Sequence, residues 1–165
     1  MQVHGLHSPA YNTLIPFDRP CRAVAIDPQF SSRNSSYRFI TGGDRIQIYE
    51  KQFLLGYRST PLQSGDGQVR NIQWKGNLIA WASDLSVRIY DAEERAIITV
   101  IRRDHDPRLR PEIYRCNLHW RNDRTLLIGW GDSVKVCRVQ DRSTPSTNPM
   151  LPNKFVEISK YFSCL

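Results

Sequence analysis

The sequence predicts an all-β protein built from repeated antiparallel units. One pattern occurs three times: an alternating apolar strand, a tight turn that ends in Asp, and a second apolar strand. The three turn residues are Asp44, Asp84 and Asp132, which lie 40 and 48 residues apart. A repeat of this length cannot bury its own apolar face, so we expect the copies to stack on one another.

Each copy also contains a strand before the repeated pattern and a strand after it. Apolar residues on alternate positions, the signature of a half-buried strand, mark the first strands of the second and third copies. We predict first strands at residues 21–27, 69–75 and 114–120, and fourth strands at residues 53–57, 96–101 and 155–161. Four short antiparallel strands per repeat are typical of a propeller blade. The predicted fold is therefore an incomplete WD40-like β-propeller, with about three four-stranded blades and part of a preceding one.

The predicted propeller occupies residues 1–165 as one unit. We assign residues 1–19 to the end of a preceding blade and place the three blades at residues 20–59, 69–103 and 114–163. Three blades make an open arc with two uncovered flanks, which suggests a fragment or a short gene product. We expect such an arc to aggregate, to dimerise through its flanks or to need further blades.

Charge and composition restrict the partners. The net charge of +7 and the isoelectric point near 9.5 favour acidic surfaces. The cations are scattered rather than interleaved with aromatic residues, so we do not expect nucleic acid as a partner. No apolar run approaches the length of a membrane span, and the first residues lack the pattern of a secretory leader. These features favour a cytoplasmic protein.

The four cysteines favour a reducing compartment. Cys21, Cys116, Cys137 and Cys164 are widely spaced and form no Cys-x-x-Cys pair. Two of them lie inside apolar strand patterns, so we interpret them as reduced and mostly buried. A disulfide framework of a secreted domain is the alternative, and a metal site has less support.

The turn aspartates are predicted to be structural. The sequences Gly-Gly-Asp, Ser-Asp and Gly-Asp tolerate the tight backbone that a short hairpin requires. In blades of the WD40 type this Asp also forms hydrogen bonds that hold a neighbouring turn. The Trp-Asp pair of such repeats is replaced by Tyr90-Asp91 in the second copy, and the Gly-His pair is missing. We therefore expect an incomplete hydrogen-bond tetrad.

One inter-blade loop is the candidate partner-binding site. It carries Arg102, Arg103, Arg108 and Arg110. Arginine guanidinium groups suit bidentate contacts to carboxylate or phosphate, which favours an acidic protein or a lipid headgroup as the partner. The alternative is a solvated loop in which Asp104 and Asp106 neutralise half of the arginines.

No complete catalytic or metal-binding set is present. His105 lies between two aspartates, but no Gly-x-Ser-x-Gly nucleophile elbow occurs. Residues 65–67 contain only the first two glycines of a dinucleotide fingerprint, and His4 and His7 have no further ligand nearby. The four tryptophans lie within strands and are expected to pack between blades: Trp74, Trp81, Trp120 and Trp130. We expect a protein without enzymatic activity, cofactor or metal.

Long motifs in all three copies resemble one known family. They are residues 39–44 (FITGGD), 69–82 (VRNIQWKGNLIAWA) and 127–137 (LIGWGDSVKVC). These stretches are similar to the amino-terminal propeller of the vacuolar protein sorting-associated protein 41 family. The resemblance continues through residues 108–114 and 154–158 and covers most of the chain from about residue 20.

This resemblance implies a role in membrane traffic. Members of the family are non-enzymatic subunits of the HOPS complex, which tethers late endosomes, autophagosomes and lysosomes or vacuoles before fusion. The implied partners are other HOPS subunits, small GTPases of the Rab and Arl classes and an adaptor complex. The implied location is the cytoplasm and the surface of late endosomes and lysosomes or vacuoles. The repeats alone would equally fit a WD40-like scaffold of another complex, and the charge would fit a phosphoinositide or nucleic-acid binding module with salt-dependent affinity.

Overall fold

Fourteen β-strands, and no helix, occur in the part of the chain that the structure describes. The computed structural model describes residues 2–3, 13–17, 19–30, 37–54, 56–62, 66–104, 108, 110, 112–144 and 151–163. The strands are β1 (Gln2–Val3), β2 (Thr13–Leu14), β3 (Ala23–Ile26), β4 (Phe39–Gly42), β5 (Ile46–Gln52), β6 (Gly56–Leu62), β7 (Asn71–Lys75), β8 (Leu78–Ala82), β9 (Ser86–Asp91), β10 (Ala96–Arg102), β11 (Asn117–Trp120), β12 (Thr125–Trp130), β13 (Ser133–Asp141) and β14 (Lys154–Ser163).

Twelve of these strands form three antiparallel sheets in chain order. The first sheet is β3-β4-β5-β6, the middle sheet is β7-β8-β9-β10, and the third sheet is β11-β12-β13-β14. Strands β1 and β2 pair with each other as a separate two-stranded ribbon. Consecutive hairpins in four-stranded units are the architecture of propeller blades. The predicted all-β fold is confirmed.

The sheets stack face to face and bury an apolar layer at each contact. The first interface joins the first and middle sheets, and Ile40, Ile46, Ile72 and Trp81 lie within it. The second interface joins the middle and third sheets; its core includes Ala80, Val87, Ile89, Leu118, Leu126 and Ile128. Because the middle sheet is covered on both faces, every residue of β8 and β9 is buried.

A smaller core covers the other face of the first sheet. Phe39 and Tyr49 stack with ring centroids 4.7 Å apart and nearly parallel planes. Ile15 is buried against this pair, and the Phe17 and Tyr49 ring centroids are 5.5 Å apart. The segment that follows β2 therefore packs on the first sheet.

The predicted fourth strand of the first copy is wrong in its position. Phe53 and Leu54 form a turn, and β6 runs from Gly56 to Leu62 rather than over residues 53–57. Gly56 has φ of +73°, a left-handed conformation that favours glycine and ends the turn. Pro61 is accommodated because β6 is an edge strand, where one backbone N–H can be absent.

The tryptophan prediction is confirmed, and the cysteine prediction holds for two residues. Trp74, Trp81, Trp120 and Trp130 are all buried. The indole of Trp120 donates to the Gln73 carbonyl across the second interface at 3.3 Å. Cys116 and Cys137 are buried free thiols, whereas Cys21 is exposed. Cys164 lies outside the described residues.

Successive turns of each sheet lie at opposite ends of its strands, because neighbouring strands are antiparallel. We name the end of the stacked sheets that carries the turns at Asp44, Asp84 and Asp132 the Asp-turn edge. We name the opposite edge the hairpin edge; it carries the turn between β5 and β6 at Phe53–Leu54 and the turn between β9 and β10. Arg103 at the end of β10 donates its backbone N–H to Leu85, which places the basic loop at the Asp-turn edge.

Candidate functional site

The turn residue Asp84 fastens the segment that leads into the middle sheet. Its carboxylate accepts hydrogen bonds from the Gln68 backbone N–H at 2.9 Å and from Arg70 Nε at 2.9 Å. Gly67 lies against this carboxylate with φ of +91°, and a Cβ there would meet Asp84 Oδ2 at 2.6 Å. The close approach of Gly67 to Asp84 fixes the direction in which β7 begins.

The other two turn aspartates have different surroundings. Asp44 accepts a hydrogen bond from the Gln68 side chain, and Arg19 lies 3.8 Å from its carboxylate. Because Gln68 belongs to the segment before β7, this contact links the first sheet to the middle sheet. Asp132 is exposed in the turn between β12 and β13. The structural role assigned to all three aspartates stays a prediction.

A network of buried Arg88, buried Ser86 and half-buried Asp66 lies behind the Asp84 turn. The guanidinium of Arg88 is 2.7 Å from Asp66 Oδ2 and donates to Ser86 Oγ at 3.0 Å. The Ser86 hydroxyl donates to the same Asp66 oxygen at 2.5 Å. The hydrogen bond from Ser86 and the charge of Arg88 hold the pKa of Asp66 below its usual value, although burial opposes this. The network ties β9 to the segment before β7.

A second cluster joins the basic loop to the third sheet. Asp104 lies 2.9 Å from Lys160 Nζ and 3.3 Å from Lys135 Nζ. The hydrogen bond from Lys160 lowers the pKa of Asp104, burial opposes it, and Lys135 lowers it further. The alternative that Asp104 and Asp106 neutralise half of the loop arginines stays untested, because Asp106 lies outside the described residues.

The structure divides the four arginines of the basic loop into two kinds. Arg103 places its guanidinium 5.4 Å from the centroid of the Trp130 ring. Both terminal nitrogens of Arg103 are buried and have no hydrogen-bond partner among the described residues. Arg102, Arg108 and Arg110 are exposed. Arg103 therefore packs the base of the loop, and the other three present their side chains at the surface.

Two thiols lie beneath this loop but are not activated. Burial raises the pKa of Cys116 to about 12, against the opposing charges of Arg103 and Lys135. Burial likewise raises the pKa of Cys137 to about 11, and Lys135 again opposes it. A cysteine acts as a nucleophile through its thiolate, so both side chains are unreactive at neutral pH.

Sequence reasoning missed three charged residues of this edge: Arg88, Lys135 and Lys160. The first two carried a usable signal, because each occupies an inward position of a strand with apolar neighbours. A charge at such a position requires a partner. The partners Asp66 and Asp104 lie 22 and 31 residues away in the sequence, so the pairing itself was not readable.

Most of the remaining catalytic and metal candidates lie outside the part of the chain that the structure describes. Within the described ranges, no group of three His, Cys, Asp or Glu side chains could hold a metal ion. His4, His7, Gly65, His105 and Asp106 lie outside the described residues. A cleft of about 480 Å³ on the first sheet is lined by Leu14, Tyr49 and Tyr57 among others and contains none of the loop arginines.

A family model matches nearly the whole chain. It is Beta-prop_Vps41, which carries the description Vps42 beta-propeller, and it matches residues 1–164. Three curated relatives are named as vacuolar protein sorting-associated protein 41 or its homologue. The Homo sapiens protein is 40% identical over 162 residues, covering 98% of this chain and 18% of that protein. The Danio rerio protein is 42% identical over 146 residues, covering 88% of this chain and 17% of that protein. The Schizosaccharomyces pombe protein is 35% identical over 143 residues, covering 84% of this chain and 16% of that protein.

The chain thus spans less than a fifth of the length of these relatives. Among solved structures, the crystal structure of Kluyvelomyces marxianus Hsv2 superposes with a TM-score of 0.63 at 13% identity. The superposition covers 99% of this chain and 55% of that chain. At this identity the likeness concerns the fold alone. No helix within the described residues is long and apolar enough to cross a membrane.

Proposed function

Because the chain belongs to the Vps41 β-propeller family, we propose that it acts as part of a non-catalytic subunit of a HOPS-type membrane tethering complex. The process is vesicle-mediated transport and protein targeting to the lysosome or vacuole, through fusion of late endosomes and autophagosomes with that organelle. The propeller serves as a protein-interaction surface. The observation that carries the proposal is the family match over residues 1–164.

The proposed partners follow from the family. They are other HOPS subunits, small GTPases of the Rab and Arl classes and an adaptor complex. The proposed location is the cytoplasmic face of late endosomes and of lysosomes or vacuoles, with peripheral attachment. The proposal includes no enzymatic activity, and the raised pKa values of Cys116 and Cys137 agree with a surface that does no thiol chemistry.

The proposed docking surface is the exposed part of the basic loop. Arg102, Arg108 and Arg110 are exposed and belong to the loop that begins at the Asp-turn edge. Asp104, which precedes two of these arginines, contacts Lys135 and Lys160 of the third sheet. Guanidinium groups form charge-assisted, often bidentate hydrogen bonds with carboxylates, so an acidic face of a partner protein fits this surface. Asp44, Asp84 and Asp132 shape the turns beside it.

The binding test uses the purified 165-residue chain. Immobilised chain is exposed to purified HOPS subunits and to Rab- and Arl-class GTPases loaded with GTP or GDP, and affinity is measured by biolayer interferometry. We expect at least one of these proteins to bind. The triple variant R102A/R108A/R110A should bind it at least tenfold more weakly, since each charge-assisted contact contributes about 1.5–3 kcal/mol.

The matched control carries three substitutions at the opposite edge, K51A/R58A/R95A. It removes the same charge as the arginine triple variant and should retain the affinity of the wild-type chain. Equal weakening by both triple variants would show that net charge alone attracts the partner, which contradicts the proposed surface. Failure of folded wild-type chain to bind any of these proteins would favour a scaffold of another complex.

A further inference from the structure

Two adjacent apolar side chains on the hairpin edge have no role in the fold. Phe53 is 99% exposed and Leu54 is 84% exposed, the two highest values among the large apolar residues that the structure describes. Isolated exposed apolar residues are common on protein surfaces and need no explanation. Two neighbours that are almost fully exposed at the apex of one turn are different, because each could bury its whole side chain elsewhere. We name this pair the apolar tip.

The hairpin projects the apolar tip away from the sheets. Strands β5 and β6 remain paired up to Gln52 and Gly56, immediately on either side of the turn. A Cβ placed on Gly56 would meet no atom within 4 Å, so the turn is open on that side. Phe53 and Leu54 belong to none of the three apolar cores. The tip is thus convex and stands clear of neighbouring strands.

Cations flank the tip on both faces of the hairpin stem. Lys51 is paired in register with Tyr57, and Arg58 with Glu50, so the two cations lie on opposite faces of the ribbon. Lys51 and Arg58 are both exposed. Arg95 of the neighbouring turn is 76% exposed and lies 3.9 Å from Glu50. The nearest carboxylate of the stem is thereby already matched by a cation.

We propose that the apolar tip inserts into the interfacial layer of a lipid bilayer, with Lys51 and Arg58 contacting anionic headgroups. A bilayer presents anionic groups at its surface and an apolar region directly beneath them, which is the order of cations and apolar side chains along this hairpin. A protein pocket would require a concave match to a convex tip. The chain's net charge of +7 adds attraction to an anionic membrane.

This contact does not depend on the docking surface of the basic loop. The tip lies on the hairpin edge and the arginines lie on the Asp-turn edge, so a membrane under the hairpins would leave Arg102, Arg108 and Arg110 facing away from it. The membrane contact and the protein contact can therefore be tested and can fail separately.

The first test is vesicle flotation with the 165-residue chain. Vesicles contain phosphatidylcholine alone or phosphatidylcholine with phosphatidylserine. We expect binding to the anionic vesicles and a decrease on the order of tenfold or more in the partition coefficient of F53S/L54S, because two apolar side chains no longer leave water. K51A/R58A should lose about fivefold per cation, and this loss should vanish at high salt.

The matched control is L85S, which removes an exposed leucine from the Asp-turn edge. Leu85 is 55% exposed, and its substitution should leave vesicle binding unchanged. Depth is measured with F53W and brominated acyl chains, which quench tryptophan inside the bilayer. The four native tryptophans are buried and provide a low background. Quenching of F53W beyond the wild-type level is the expected result.

Three outcomes would overturn the proposal. One is vesicle binding by F53S/L54S that equals that of L85S. Another is F53W fluorescence that brominated lipid does not quench, while near-ultraviolet circular dichroism shows that the F53W variant is folded. The third is wild-type self-association that F53S/L54S abolishes while neither protein binds vesicles, since the tip would then be a contact between copies of the chain.

Discussion

The two interfaces between sheets have similar apolar centres but different edges. At the second interface, Lys154 of β14 lies 2.6 Å from Asp91 and 2.9 Å from Glu94 on the hairpin edge. Asp104 binds two lysines of the third sheet on the Asp-turn edge. Charged contacts therefore fasten the second interface at both edges.

The first interface combines the hydrogen bond from Gln68 to Asp44 with close backbone approach. The Val69 N–H donates to the Gly43 carbonyl at 2.8 Å, and a Cβ on Gly42 would meet Val69 Cγ1 at 2.5 Å. Its ion pair on the hairpin edge, Glu50 with Arg95, is long at 3.9 Å and exposed. Burial of apolar side chains drives the stacking of the sheets. The contacts at the edges determine how stability responds to the loss of a charge, to pH and to added side-chain volume.

The largest expected effect comes from Lys154→Ala at the second interface. Asp91 is fully buried, and removing its cation leaves an uncompensated carboxylate. We expect a loss of about 2 kcal/mol in the free energy of unfolding, less than the ~3–5 kcal/mol typical of a broken buried pair. Asp91 keeps two hydrogen bonds from the backbone N–H groups of Glu93 and Glu94, which limits the loss. Urea denaturation followed by fluorescence measures it.

The matched variant at the first interface is Glu50→Ala. Its partner Arg95 is mostly exposed, so we expect a change within about 0.5 kcal/mol. Equal losses for Lys154→Ala and Glu50→Ala would contradict the distinction between the two interfaces.

A smaller loss is expected from Gly67→Ala, in the segment that joins the first and middle sheets. An L-residue is strained at φ of +91°, and the added methyl group would also collide with Asp84. We expect a loss of about 1–2 kcal/mol. Gly76 is the control, because it has φ of +53° but no atom within 4 Å of the place where a methyl group would stand. Gly76→Ala should therefore cost about 1 kcal/mol at most. If thermal melting shows the same loss for both variants, the contact with Asp84 is not the cause.

The smallest expected effect is an acid dependence that arises at the second interface. Burial would raise the pKa of Asp91, but the hydrogen bonds from Lys154 and the backbone lower it overall. The Lys160 hydrogen bond similarly lowers the pKa of Asp104. A carboxyl group with a lowered folded-state pKa binds more protons when unfolded. Its stabilisation is complete above the unfolded value near 3.8 and is lost as the pH falls through the folded value.

The free energy of unfolding should thus fall as the pH drops below about 4. Chemical denaturation over this pH range measures the slope, and Asp91→Asn should make it shallower. An unchanged slope in Asp91→Asn would show that Asp91 does not contribute to the acid dependence.

The sequence was sufficient where structure follows from local periodicity. Alternating apolar residues located the strands around Trp74 and Trp120, and the Asp turns gave the repeat. It failed at residues 53–57, because the apolar run that begins at Phe53 is typical of a strand, whereas Phe53 and Leu54 form a turn and β6 begins at the left-handed Gly56. Periodicity predicts whether a side chain faces the core or the solvent, but it does not predict which residues of other strands that side chain contacts.

The candidate site was predicted only in part, for the same reason. The arginines of the basic loop lie close together in the sequence and could be recognised as a charged segment. Their division into a packed Arg103 and exposed Arg102, Arg108 and Arg110 depends on where Trp130 lies. The two lysines that hold Asp104 come from strands that meet the loop only after the third sheet has stacked on the middle sheet.

The most direct test of the proposed function is competition in a fusion assay. Purified lysosomes or vacuoles carrying complementary content markers are mixed, and content mixing is measured with increasing amounts of the purified 165-residue chain. The chain should inhibit mixing by occupying the partners of the tethering complex, and R102A/R108A/R110A should inhibit less. Undiminished content mixing in the presence of excess folded wild-type chain would contradict the account.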